Sequence, residues 1–223
     1  MQCVRKVTDD LFWVGANDKK LQLFESIHPI DGIGVSYNSY LLLDEKTVLF
    51  DTADWTVGQQ FIENVEYVLD GRKLDYLVIN HIEPDHAASI GEIVLRYPDV
   101  KVISTEKAWL LLNQFRFHVD EENFIQVKEG EEISFGKHKF IFIAAPMVHW
   151  PEVMVSFDMT NGVLFSADAF GTFKSLDGAL FADEVDFKGE WIDEARRYYG
   201  NIVGKYGPQV MALIKKTSKL DIE

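Results

Sequence analysis

Cysteine is almost absent: Cys3 is the only one in 223 residues. One thiol excludes an intramolecular disulfide. It equally excludes an iron–sulfur cluster or a rubredoxin-type cysteine site held by a single chain. Positive charge is scarce as well. The 22 Lys and Arg face 36 Asp and Glu, for a formal net charge of −14. Binding a phosphate backbone needs positive patches, so this balance argues against nucleic acid as a partner. Long apolar runs are missing. Phe140-Ile141-Phe142-Ile143-Ala144-Ala145 is far shorter than the roughly 20 residues of a membrane-spanning helix. Met1-Gln2-Cys3-Val4-Arg5-Lys6 lacks the apolar stretch of a secretory signal, and the cytoplasm is the expected compartment. There is no low-complexity linker, no internal repeat and no long run of like charge. With 47% hydrophobic residues the chain can bury a sizeable core, and one domain over residues 1–223 is expected.

What is present is concentrated in one hexapeptide, His81-Ile82-Glu83-Pro84-Asp85-His86. Four side chains able to bind a metal fall within six positions. Tyr76-Leu77-Val78-Ile79-Asn80 before it has strand length and character, and Ala87 to Ile93 after it reads as the start of a helix. The hexapeptide therefore reads as a loop at a strand end, where open sheets place their chemistry. Pro84 removes a backbone donor and holds Glu83 extended. Alternation with period two then aims His81, Glu83 and Asp85 at one side, and leaves His86 for a neighbouring centre. One metal needs three or four ligands and two need more, so other segments must contribute.

Strand-like and helix-like stretches come in two successive blocks. Tyr40–Leu43 and Thr47–Phe50 flank a turn at Asp44-Glu45-Lys46, which reads as a hairpin. Lys20–Phe24 reads as a strand. Val57, Phe61, Val65 and Val68 recur at helical spacing, and Thr105 can cap a helix running to about Phe115. Strands follow over 124–127, 132–135, 138–144, 153–158 and 163–166. A long helix over Trp191 to Val203 closes the pattern. The fold class expected is α/β: an αββα sandwich of two mixed β-sheets face to face, with helices on both outer faces. Two further polar donors end apolar strands in the second half. His149 lies in Pro146-Met147-Val148-His149-Trp150-Pro151, and Asp168 in Phe165-Ser166-Ala167-Asp168-Ala169-Phe170-Gly171.

A strand hairpin ending in Phe50-Asp51-Thr52, a His-rich loop, then a lone His and a lone Asp resembles the metallo-β-lactamase superfamily. Its hydrolases usually carry His-x-His-x-Asp-His. Here Glu83 replaces the second His, and His81-x-Glu83-x-Asp85-His86 with His149 and Asp168 is similar to the flavodiiron proteins. The resemblance covers nearly the whole chain. It implies a metallo-β-lactamase-like fold and two non-haem iron ions as cofactors. By the family pattern His81, Glu83 and His149 hold one iron, Asp85 and His86 serve the other, and Asp168 bridges. Mixed carboxylate and imidazole ligands favour iron or manganese over zinc. The implied function is binding and reduction of O2 or NO with electrons from an external donor, in a chain that forms a homodimer. Two rival readings stand beside it: an oxygen sensor that signals through a partner protein, and a zinc-dependent hydrolase.

The sequence departs from the family in two ways. No Gly-rich phosphate loop follows a strand, so no flavin is expected in this chain. No His follows His149, where the family has one more ligand about sixty residues past the bridging Asp. The second iron would then use another ligand or water, or a ligand from outside this segment. Asp51 is expected to support a ligating His from behind. His28 is a candidate for the pocket or for a plain loop, and Trp13, Tyr37, Tyr40 and Trp150 for pocket lining or core. His118 and His138 read as surface or strand residues.

Overall fold

Neighbouring residues in the central strands are apolar on both sides of the pleat. Leu41 and Leu42, Val48 and Leu49, Leu77 and Val78, and Val102 and Ile103 are all fully buried. In a strand successive side chains point to opposite faces, so these strands must be covered twice. The computed structural model describes residues 2–222. Met1 and Glu223, the two ends of the expected domain, lie outside the described residues. Leu42, Val48, Phe50, Val78 and Ile103 meet Phe135, Phe140, Phe142, Met154 and Phe165 of a second sheet. Leu41, Leu49, Leu77 and Val102 lie in the layer formed with the helices.

The first sheet has seven strands, in spatial order Arg5–Lys6, Leu11–Trp13, Tyr40–Leu43, Thr47–Phe50, Tyr76–Val78, Lys101–Ser104 and Phe124–Gln126. Its first four strands pair antiparallel, and its last four pair parallel. The second sheet orders Glu132–Ser134, Lys139–Ala144, Met154–Asp158 and Val163–Phe165. Its pairings are all antiparallel, so mixed pairing is confined to the first sheet. Phe50 stacks on Phe165 at 4.2 Å and on Phe140 at 4.9 Å between centroids, which ties the sheets together. Such ring pairs add about 0.5–1.5 kcal/mol each beyond area burial.

Helices cover both outer faces. Gly58–Leu69 buries Phe61, Ile62, Val65 and Val68. Glu106–Phe115 starts where expected, with Thr105 Oγ1 accepting from the Ala108 N–H at 3.1 Å. On the far face Ile192–Asn201 and Gly207–Thr217 bury Tyr198, Val210 and Leu213, and Lys216 donates to the Ala144 carbonyl. The helix expected over Trp191 to Val203 is Ile192–Asn201, and the short turn Gly204–Tyr206 leads from it into the further helix Gly207–Thr217. The strand expected over Lys20–Phe24 shrinks to Leu23–Phe24, paired with His28–Pro29. Lys20, Gln22 and Leu23 are exposed and only Phe24 is buried, so one face has too little to pack against. No helix among the described residues is long and apolar enough to cross a membrane.

The register gathers strand ends. Phe50, Val78 and Ile103 lie side by side, so Asp51, Asn80 and Thr105 leave the first sheet at one end. Ala144 pairs with Met154, and Ser156 with Phe165. The loop holding His149 and the turn holding Asp168 therefore leave the second sheet at one shared end. The Met154 N–H donates to the Asn80 carbonyl at 3.0 Å, which joins the two ends.

Candidate metal centre

The hexapeptide is not wholly a loop. Glu83 is extended (φ −61°, ψ 147°), and Pro84 opens a helical turn over Pro84–Ala87. Proline suits the first helical position because that N–H has no intrahelical partner. The expected period-two alternation therefore stops at Glu83. Asp85 and His86 ride on a helical turn, which swings them to a separate position. Asp51 braces this segment, accepting from the Asn80 N–H at 2.7 Å and from the Asn80 amide at 3.1 Å. Its Oδ2 stands 3.8 Å from His86 Nδ1. Ser156 of the second sheet donates to Asn80 Oδ1 at 2.6 Å.

The six residues expected to bind metal fall into two groups with one shared member. His81, Glu83, His149 and Asp168 offer ligand atoms within 4.8 Å of one another, and so do Asp85, His86 and Asp168. In the first group Glu83 Oε2 is 3.2 Å from His81 Nε2 and 2.8 Å from His149 Nε2. Asp168 Oδ2 lies 3.3 Å from His81 Nε2 and 3.4 Å from His149 Nε2. Its other oxygen, Oδ1, lies 3.0 Å from His86 Nε2. Asp85 Oδ2 is 3.6 Å from the same nitrogen. One carboxylate thus presents one oxygen to each group.

Without a cation these groups hold protons unusually. Burial favours neutral His81 and His149. Hydrogen bonds outweigh it, from Glu152 and Glu83 for His81 and from Asp168 and Glu83 for His149. They raise the two to about 9 and about 10. Burial would raise Glu83, but His149 and His81 bring it down to about 2. Burial pushes Asp85 up to about 7 despite His86, with Asp168 and Glu83 adding to the rise. Buried Asp85 Oδ1 has no hydrogen-bond partner, and Asp168 Oδ2 has only the long approaches of His81 and His149 at 3.3 and 3.4 Å. A buried unsatisfied acceptor costs about 1–3 kcal/mol, more when charged. Cations between the groups would remove that cost, and the mix of imidazole nitrogen and carboxylate oxygen suits iron or manganese. The residues fit a pair of metal ions.

Two neighbours escaped the sequence reading. Glu152 is fully buried, and its Oε1 lies 2.7 Å from His81 Nδ1. Tyr198 donates to Asp168 Oδ1 at 2.7 Å, and its hydroxyl is held well above its ordinary pKa by burial and by Asp168. Glu152 has no signal beyond standing three residues after His149. Tyr198 is hidden in the apolar spacing of its helix. Tyr37 and Tyr40 line a cavity of about 380 Å³ that reaches Asp85, His86 and Asp168. Trp150 sets its ring edge-on to His81 at 5.2 Å. Trp13 is buried behind that cavity's wall, with its indole N–H on Asn38, which lines it. His28 sits 3.8 Å from Glu25 and against the ring of Phe173, in neither ligand group. His118 is exposed. His138 corrects the expectation. It is wholly buried, with Nδ1 2.7 Å from Asp158 and Nε2 2.9 Å from Asp10, because two carboxylates take the place of water around it.

Known proteins repeat this sequence and fold. An anaerobic nitric oxide reductase flavorubredoxin from Vibrio vulnificus is 38% identical over 217 residues, 97% of this chain and 43% of its own length. A nitric oxide reductase from Moorella thermoacetica is 35% identical over 216 residues, 97% of this chain and 53% of its own. The solved structure of rubredoxin oxygen:oxidoreductase from Desulfovibrio gigas superposes with a TM-score of 0.90 at 32% identity, covering 97% of this chain and 53% of that one. The chain thus spans about half the length of the relatives it matches. The family model described as ODP family beta lactamase matches residues 35–219, and the chain belongs to that family.

Proposed function

We propose that the chain holds two iron ions and, with electrons from a separate donor, reduces O2 or NO. The observation that carries this reading is Asp168, whose two oxygens face different donor groups. His81, Glu83 and His149 would hold one iron, Asp85 and His86 the other, and Asp168 would bridge. A reduced metal pair, when bound, supplies the electrons and the open positions for a diatomic gas. The chain's own residues do the rest. Tyr198 keeps the bridging carboxylate oriented through a hydrogen bond of 2.7 Å. Asp51 and Asn80 fix the hexapeptide backbone. Tyr37, Tyr40 and Phe165 wall the approach to His86 and Asp85.

The relatives are named for nitric oxide, oxygen and rubredoxin. For this chain they support O2 or NO as the substrate and a redox protein as the donor. They weigh against a zinc hydrolase, as does Glu83 in place of a second imidazole. The chain itself binds no flavin in this reading. The test is gas consumption by the iron-loaded protein, with a reductant and a small redox protein supplied. Sustained O2 or NO uptake, with no flavin absorbance and no uptake from NADH alone, is expected. Oxidation once per centre without turnover would overturn the reductase reading and favour a sensor.

A further inference from the structure

We infer that Glu152 is a positioning residue for the metal held by His81, and that it makes the two halves of the centre unequal. The inference rests on the metal-binding reading above. Glu152 lies between the His149 loop and the strand Met154–Asp158, and its side chain is 0% exposed. Oε1 accepts from His81 Nδ1–H at 2.7 Å and from the Ile82 N–H at 3.1 Å. The Glu152 backbone carbonyl accepts from Thr105 Oγ1 at 3.0 Å. One residue thus locks the ring of His81, the hexapeptide backbone and a helix cap together. Its second oxygen, Oε2, is buried with no partner, so the backbone N–H of Ile82 is the one other donor that shares this carboxylate with His81.

A carboxylate on the far nitrogen of a ligating imidazole fixes the tautomer and makes the near nitrogen a stronger donor. Here it leaves His81 Nε2 free to face Glu83 and Asp168. The other two imidazoles lack this arrangement. Nδ1 of His86 has Asp51 at 3.8 Å, beyond hydrogen-bond range, and the Asp51 oxygens are engaged by Asn80. Among the described residues no carboxylate is hydrogen-bonded to Nδ1 of His149. The His81 position is therefore the more tightly held and the better suited to the higher-charged ion.

The experiment compares wild type, Glu152→Gln and Glu152→Asp by anaerobic Fe2+ titration against a competing chelator, with redox titration of the loaded proteins. Glu152→Gln should weaken the tighter ion by about ten- to a hundredfold and leave the weaker one nearly unchanged. It should also raise the midpoint potential of the tighter ion, by about 59 mV for each tenfold preference for the oxidised form that is lost. Glu152→Asp, which keeps the charge, should recover most of both effects. Wild-type affinity and potential in Glu152→Gln would overturn the inference. So would equal loss of both ions, which is the behaviour of a brace without a role at the metal. If Glu152→Gln does not fold, the zinc-loaded wild type decides by NMR. A downfield, exchange-protected His81 Nδ1 proton supports the inference, and its absence refutes it. Failure of wild type to bind any Fe2+ would instead overturn the proposed function, and this inference with it.

Discussion

Replacing His138 with Leu should destabilise the fold at the end of the sandwich away from the metal groups, and the cost should depend on pH. His138 is wholly buried and joins three segments. Its Nδ1 meets Asp158, its Nε2 meets Asp10, and its own N–H donates to Asp44 Oδ2 at 2.7 Å. Removing one partner of a buried ion pair costs about 3–5 kcal/mol, because the other charge is left without compensation. Asp158 is 2% exposed and carries most of that loss. Asp10 is partly exposed and keeps Lys137 and Thr8, which places the expected cost near the lower end, about 3 kcal/mol. For a domain of this size that is a fall of roughly 6–12 °C in melting temperature. Burial alone would lower the His138 pKa, but the hydrogen bonds to Asp10 and Asp158 outweigh it and raise it above its ordinary value. The folded state therefore binds this proton more tightly than the unfolded chain does. Its stabilisation is complete below about pH 6.5, the unfolded value, and is lost as pH rises through the higher folded value. The gap between wild type and mutant should be widest near pH 6 and narrow towards pH 10. Thermal unfolding of the metal-free proteins across that range measures it. A loss under about 1 kcal/mol at pH 6, or a gap that widens with pH, would refute the argument.

Two further outcomes concern the metals. Glu83→His exchanges an anionic ligand for a neutral one between His81 and His149. It should raise the zinc-to-iron ratio of the purified protein and slow reoxidation by O2, since one less negative charge disfavours the ferric state; unchanged iron content and rate would contradict this. The two ions should also leave in sequence under a chelator. Four described residues serve the first group and three the second, and loss even of an outer partner costs about ten- to a hundredfold in affinity. Iron assay during stepwise chelation reads this directly, and simultaneous loss of both would count against it.

The strands and the Thr105-capped helix were legible in the sequence because their signals are local. Apolar runs, a turn at Asp44-Glu45-Lys46 and a capping hydroxyl each act over a few residues. The six candidate ligands stand out in the sequence because metal-binding residue types cluster at strand ends, and the structure gathers their side chains into two groups that share Asp168. Pro84 was read only in part. It holds Glu83 extended, as expected, but it also opens a helical turn, and that second role moves Asp85 and His86 to a separate group. Glu152, Tyr198 and His138 were not legible. Each owes its role to a partner far away in the chain: His81 for Glu152, Asp168 for Tyr198, Asp10 for His138. No periodicity or motif in their own neighbourhoods encodes those meetings. His138 sits in Lys137-His138-Lys139, a setting that suggests solvent until the two sheets close over it.

In the proposed centre Asp168 joins two iron positions. Metal analysis of protein expressed with iron available and purified without oxygen, paired with a Mössbauer spectrum of the oxidised form, tests it most directly. More iron than zinc is expected, near two irons per chain, with the spectrum of an exchange-coupled diferric pair. Stoichiometric zinc without iron, or iron whose spectrum shows only isolated ions, would contradict it.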